Sequence, residues 1–114
     1  MSEHFSSREW LTFTQVCELL GVSKNKLRRL LEDRYLLAAQ VDSEPRIPAD
    51  FFKNGEPLPG LRGTLTLLAD MGLEGEEAMN WMLSEDSALG EAPVAALQRW
   101  HKTSVRKSAQ LLAF

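Results

Sequence analysis

The stretch Leu11-Thr12-Phe13-Thr14-Gln15-Val16-Cys17-Glu18-Leu19-Leu20-Gly21-Val22-Ser23-Lys24-Asn25-Lys26-Leu27-Arg28-Arg29-Leu30-Leu31 decides the fold. Thr12 followed three residues later by Gln15 is a capping-box pair, and Leu11 and Val16 flank it at the spacing of a hydrophobic staple. Phe13, Val16, Cys17 and Leu20 recur at i, i+3, i+4 and i+7, so one face of this helix is apolar. Gly21 stops it. Ser23 starts a second helix almost at once, running to about Asp33 with Leu27, Leu30 and Leu31 as its inward face. Two short helices joined by a Gly-containing turn, Gly21-Val22-Ser23, form a helix-turn-helix pattern.

Downstream, Leu36–Val41 reads as extended and Asp42-Ser43-Glu44-Pro45 as a turn. Arg46-Ile47 returns as a short strand that Pro48 ends. This hairpin has the size of a wing. Ala49–Lys53 suits a helical turn, and Asn54-Gly55-Glu56-Pro57-Leu58-Pro59-Gly60 reads as a loop or linker. The remainder is helical in pattern. Leu65, Leu67, Leu68 and Met71 belong to one helix that Gly72 ends, and Ala78–Leu83 to the next. Pro93 opens a third, and Val105, Ala109, Leu112 and Ala113 stripe a fourth. Upstream, Met1–Glu9 is a polar lead without period, read as a flexible tail. The expected architecture is mainly α with a small β-hairpin. It comprises a tail over 1–9, a winged helix-turn-helix over 10–53, a linker over 54–60 and a C-terminal helical bundle over 61–114.

Composition narrows the function. At 114 residues, with 44% hydrophobic and 25% charged side chains, the chain suits one compact domain or two small helical pieces sharing a core. One cysteine, Cys17, makes no intrachain disulfide. Cys17, His4 and His101 are too few for a four-ligand structural zinc site without carboxylates. The longest apolar run, Tyr35–Ala39, is far short of the roughly 20 residues of a membrane span, and Met1–Arg8 lacks a signal peptide's apolar stretch. A cytoplasmic protein is expected.

The net charge of −3 argues weakly against nucleic acid until it is located along the chain. Residues 1–53 hold eight basic and eight acidic side chains, residues 54–97 one and eight, and residues 98–114 four and none. From Ser23 to Leu31 there are four basic residues and no acidic one. With Leu27, Leu30 and Leu31 turned inward, a step of about 100° per residue points Asn25 and Arg29 outward, with Arg28 and Glu32 beside them. In a helix-turn-helix the second helix enters the DNA major groove. Asn pairs bidentately with adenine and Arg with guanine, so Asn25, Arg28 and Arg29 are the candidate base readers. Ser23, Lys24, Lys26, Arg34 and Arg46 suit phosphates, which position a protein without reading sequence. A charge run alone would read as an ordinary solvated face; the short turn, the two caps and the hairpin are what favour double-stranded DNA as partner. Gln40, Arg46 and Lys53 are the wing-side groups for the backbone, whereas Asp42 and Glu44 at the wing tip oppose its insertion. The acidic segment 54–97 is expected to lie away from DNA.

No catalytic constellation, metal motif or cofactor motif is present, so an enzyme is not expected. Gly60-Leu61-Arg62-Gly63 lacks the lysine and hydroxyl of a phosphate loop and reads as a turn before a helix. Cys17, Trp81, Trp100, Met79 and Met82 read as core, and His101 as a surface residue near a helix end. The C-terminal half has two candidate roles: covering the apolar side of the helix-turn-helix, or binding a protein partner or a second copy. Arg99 and Lys102 are spaced i, i+3, with Arg106 and Lys107 opening the next helix. These four either add phosphate contacts or complement the acidic middle.

The run Trp10–Ser23 resembles the opening of excisionase-type and MerR-type helix-turn-helix domains, and Arg46-Ile47-Pro48 the strand that closes their wing. Trp81-Met82-Leu83, Ala88-Leu89-Gly90, Pro93–Leu97, Val105 and Gln110 resemble the toxin-binding domain of Xre/MbcA/ParS-type antitoxins. Gly60–Leu68 and Lys102–Phe114 are similar to a small actinobacterial family that joins a winged helix-turn-helix to this helical domain. The resemblance covers about residues 9–114. It implies a bacterial DNA-binding regulator; its antitoxin-like part implies instead an antitoxin or adapter that binds a protein through its C-terminal half. Glu74-Gly75, where a Ser-Asp cap is more usual, and the acidic wing tip depart from the pattern.

Overall fold

The computed structural model describes Arg8–Leu112; Met1–Ser7, most of the expected tail, and Ala113 and Phe114 lie outside the described residues. The elements in order are β1 (Trp10–Thr12), α1 (Phe13–Leu20), α2 (Lys24–Glu32), β2 (Ala39–Val41) and β3 (Glu44–Pro48), then a 3-10 turn (Ala49–Phe51), β4 (Phe52–Lys53) and β5 (Glu56–Pro57). Four helices follow: α3 (Leu61–Asp70), α4 (Gly75–Leu83), α5 (Pro93–Gln98) and α6 (Lys102–Gln110).

The helix-turn-helix forms by the local chemistry expected of it. The Gln15 N–H donates to Thr12 Oγ1 at 3.2 Å, and the Thr12 N–H donates to Gln15 Oε1 at 2.8 Å. Gly21 takes the left-handed conformation (φ 69°), which costs glycine nothing, and its N–H closes onto the Cys17 carbonyl at 2.8 Å. Ser23 Oγ accepts from the Lys26 N–H at 3.2 Å and starts α2. Helix α2 ends without a glycine. Arg34 takes the left-handed conformation (φ 63°) instead, and the Tyr35 N–H bonds the Leu30 carbonyl at 2.9 Å.

The wing is larger than a hairpin. Three strands pair antiparallel in the order β1-β3-β2, with Trp10 opposite Pro48, Leu11 opposite Ile47, and Ala39 opposite Arg46. Residues 10–12 were expected only to lead into the helix; they supply a strand to the wing. Its turn is tighter than expected. Asp42 and Ser43, both at positive φ, form a two-residue loop, so Glu44 and Pro45 belong to β3. Pro45 lies beyond the end of β1, where β3 has one neighbour and a missing N–H is tolerated.

Two further readings are corrected. The stretch expected as a linker contains a second hairpin, β4–β5, turned by Asn54 and Gly55 at positive φ, the pairing that such turns favour. Leu58 behind it is buried. Arg8 and Glu9, expected in the tail, are part of the fold. Arg8 Nη1 pairs with Asp50 and Nη2 donates to the Leu83 carbonyl, each at 2.8 Å, while the Glu9 carbonyl accepts from Ala49.

One contiguous core runs through both halves. Val16, Leu27, Leu36, Ile47 and Phe51 of the winged region join Leu61, Leu68, Met82, Leu97 and Val105 of the helical region. The second half therefore covers the first. Gln98 adds polar stitches, donating to the Asp50 and Phe52 carbonyls at 2.7 and 2.9 Å.

Candidate nucleic-acid interface

Helix α2 is held to the core by one fully buried side chain, Leu27, with Leu30 and Leu31 half-buried beside it. That single anchoring stripe leaves the rest of the helix outside. Ser23, Lys24, Asn25, Lys26, Arg28 and Arg29 are all exposed. Among the described residues, Lys24, Lys26, Arg28 and Arg29 make no ion pair. Four cations thus project from about 7.5 Å of helix axis, at about 1.5 Å per residue from Lys24 to Arg29. Ser23 spends an oxygen lone pair on its cap and keeps its O–H free to donate.

The remaining predicted contacts are differently placed. Arg34 Nη2 pairs with Glu74 Oε1 at 3.3 Å. An acidic residue of the middle segment therefore stands beside the C-terminal end of α2, so this segment does not lie wholly away from that helix. Arg46 lies in the middle strand of the wing, with Nη2 3.5 Å from Glu44 Oε2 and an enclosed Nε that has no hydrogen-bond partner among the described residues. Gln40 is exposed. Lys53 points to the helical half instead: it donates to the Gln98 carbonyl and lies 5.1 Å from the Trp100 ring centre. The Asp42-Ser43-Glu44 tip is exposed.

Arg62 is the residue that sequence reasoning passed over. It sits in the first turn of α3, donates from Nε to the Asp33 carbonyl at 3.0 Å and stacks on Tyr35 at 4.7 Å. A cation at a helix C-terminus complements the partial negative charge there. The only cation in residues 54–97 was the available signal. The basic tail is also rearranged. Trp100 turns left-handed (φ 66°), breaking the chain between α5 and α6, so Arg99 and Lys102 share no helix face. Lys102, Arg106 and Lys107 all belong to α6. Trp100, expected in the core, is 59% exposed. Among the described residues no group of His, Cys, Asp and Glu is arranged to hold a metal, and no helix is long and apolar enough to cross a membrane.

Two family models match successive parts of the chain. Residues 5–52 match the family model described as "DNA-binding protein Rv2175c, wHTH domain", and residues 58–113 the model described as "Rv2175c C-terminal domain of unknown function". The DNA-binding protein Rv2175c of Mycobacterium tuberculosis (strain ATCC 25618 / H37Rv) is 32% identical over 113 residues, spanning 88% of this chain and 77% of that one. The NMR structure of Rv2175c superposes with a TM-score of 0.86 at 30% identity, covering 94% of this chain and 82% of that chain. With both halves matched in order and the fold shared, the chain belongs to the Rv2175c family of winged helix-turn-helix proteins.

Proposed function

We propose that this protein is a sequence-specific DNA-binding protein, acting as a transcriptional regulator, that inserts α2 into the major groove. The observation that carries this is the unpaired cationic face of α2, presented by a helix that is anchored on one side only. Likeness to a relative named a DNA-binding protein supports it. Asn25, Arg28 and Arg29 are the base readers in this proposal. Ser23, Lys24 and Lys26 hold phosphates directly, and Arg34 and Arg46 do so by exchanging Glu74 and Glu44 for the DNA backbone. The acidic tip, Asp42 and Glu44, keeps the wing out of the minor groove.

The test is the affinity for a labelled duplex, selected from random sequence, as salt is varied. About four to six phosphate contacts give a log–log slope of about −4 to −5. Salt-independent affinity, or no binding at low salt, overturns the proposal.

One observation favours a second reading, that the helical half also binds a protein partner or a second copy, as an antitoxin or adapter would. Trp100 and Leu111 are 59% and 76% exposed, and Trp is enriched at the centres of protein interfaces. Sedimentation of wild type and Trp100→Ala over a range of concentrations tests the second copy. A single monomeric species for both proteins removes it.

A further inference from the structure

The acidic middle of the chain offers the basic tail its nearest counter-charge, and the fold leaves that offer largely unused. Of the four tail cations only Arg99 is ion-paired, with Glu91; Lys102, Arg106 and Lys107 have no salt bridge among the described residues. Two of them converge on the start of α3. A side chain added at Gly60 would meet Lys102 Cγ at 2.7 Å, and one added at Gly63 would meet Arg106 Nη2 at 3.0 Å. The bare backbone at these two positions is what lets the long cations lie there. Between them is an open hollow of about 210 Å³, lined by Gly60, Gly63, Thr64, Lys102, Thr103 and Arg106. Arg106 also borders the adjoining hollow, which Arg62 shares and where Asp70 supplies the one carboxylate.

Arg62 links this cluster to α2. Its Nε is spent on the Asp33 carbonyl and its face on Tyr35, while its terminal nitrogens keep their protons free. A row of cations therefore leads from the C-terminal end of α2 through Arg62 and Arg106 to Lys102. The rise from Asn25 to Asp33 is about 12 Å at 1.5 Å per residue, about the width of the major groove. A helix seated in the groove by its first turn brings its far end level with the phosphates on the groove's other wall.

We propose that Arg62, Lys102 and Arg106 form a second phosphate-holding surface. It grips the sugar–phosphate backbone of the same duplex, outside the segment that α2 reads. This assigns DNA contact to the helical half, and it rests on the α2 reading above. The terminal nitrogens of Arg62, the Arg106 guanidinium and the Lys102 ammonium, beside a glycine floor and the Thr103 hydroxyl, suit a phosphodiester, which needs donors from several directions and close approach. The surface adds affinity without adding sequence preference.

The experiment compares wild type, Lys102→Gln/Arg106→Gln and Lys107→Gln on the selected duplex at two lengths: about 10 base pairs, roughly one helical turn, and about 30. Glutamine removes both charges while keeping a short polar side chain at each position, with methylenes still over Gly60, and circular dichroism checks that helix content is unchanged. On the long duplex the double variant is expected to bind roughly ten-fold more weakly, with a salt slope shallower by about two, and with the base preference of wild type. On the short duplex it should match wild type. Lys107 is exposed but lines neither hollow, so Lys107→Gln should behave as wild type on both. A double variant equal to wild type on the long duplex, or a Lys107→Gln loss as large, overturns this proposal and leaves the α2 reading standing. Absence of salt-dependent binding by wild type overturns both.

Discussion

Arg62 Nε lies 3.0 Å from the main-chain carbonyl of Asp33, so the first turn of the helical half closes the last turn of α2. The contact joins a donor in one half to a backbone acceptor in the other, with the Tyr35 ring beneath the guanidinium. Removing it frays α2 from its C-terminal end. Arg62→Ala is expected to lower stability by about 1 kcal/mol, the scale of an exposed cation–π contact plus one hydrogen bond. Urea unfolding measures this, and amide exchange should quicken at residues 32–35. Arg62→Lys should recover only part, because lysine lacks the flat group that stacks and donates together.

Glu74 tests the placement of Arg34. The pair is exposed on both sides, so it contributes at most about 0.5–1 kcal/mol to folding. Glu74→Gln should leave the thermal midpoint nearly unchanged while releasing Arg34 to the DNA. The expected result is tighter duplex binding with a salt slope steeper by about one. Weaker binding would show that Glu74 serves the complex rather than competing with it.

Arg29 and Lys24 separate reading from holding. Arg29→Ala should relax base preference at one position of the site, at a cost of about 1–3 kcal/mol on the preferred sequence. Lys24→Ala should weaken all sequences alike and reduce the salt slope by about one. Matching behaviour of the two variants would overturn the assignment of faces on α2.

The shared core makes a prediction about cooperativity. Leu27 and Leu97 are both buried to within 1% and lie in different halves of one cluster. Leu27→Ala and Leu97→Ala should each cost about 2–5 kcal/mol. In both, near- and far-ultraviolet circular dichroism should follow one transition. A variant that melts one half while the other persists would contradict the continuity of the core.

Local chemistry is what the sequence makes legible. Thr12 with Gln15, Gly21 and Ser23 each announce themselves within four residues, and the structure has all four in the predicted roles. The exposed face of α2 follows from Leu27, Leu30 and Leu31 by rotation alone. Pairing across the chain does not announce itself. Trp10-Leu11-Thr12 is too short to show strand alternation, and its partner lies more than thirty residues on. Arg62 reads as a turn residue because nothing in its neighbourhood reveals that Asp33 and Tyr35 come to meet it. The left-handed Arg34 and Trp100 were hidden for a simpler reason: glycine marks that conformation in a sequence, and these residues do not. Asn54-Gly55 is the exception, a hairpin signal that the prolines and glycine after it disguise as a loop.

The pairing of Trp10 with Pro48 also sets an order of events at the ribosome. Strand β1 emerges before α1 and α2, yet its partner β3 follows both. At about 5–20 residues per second, the first strand waits roughly 2–8 s for the third. The two helices can form in that interval, but the sheet that fixes their entry cannot close. Arg8 waits longer still, because one of its acceptors is the carbonyl of Leu83. Arg8 is thus among the last residues to be secured, and a nascent chain that stalls before Leu83 carries α2 on a fold not yet fastened.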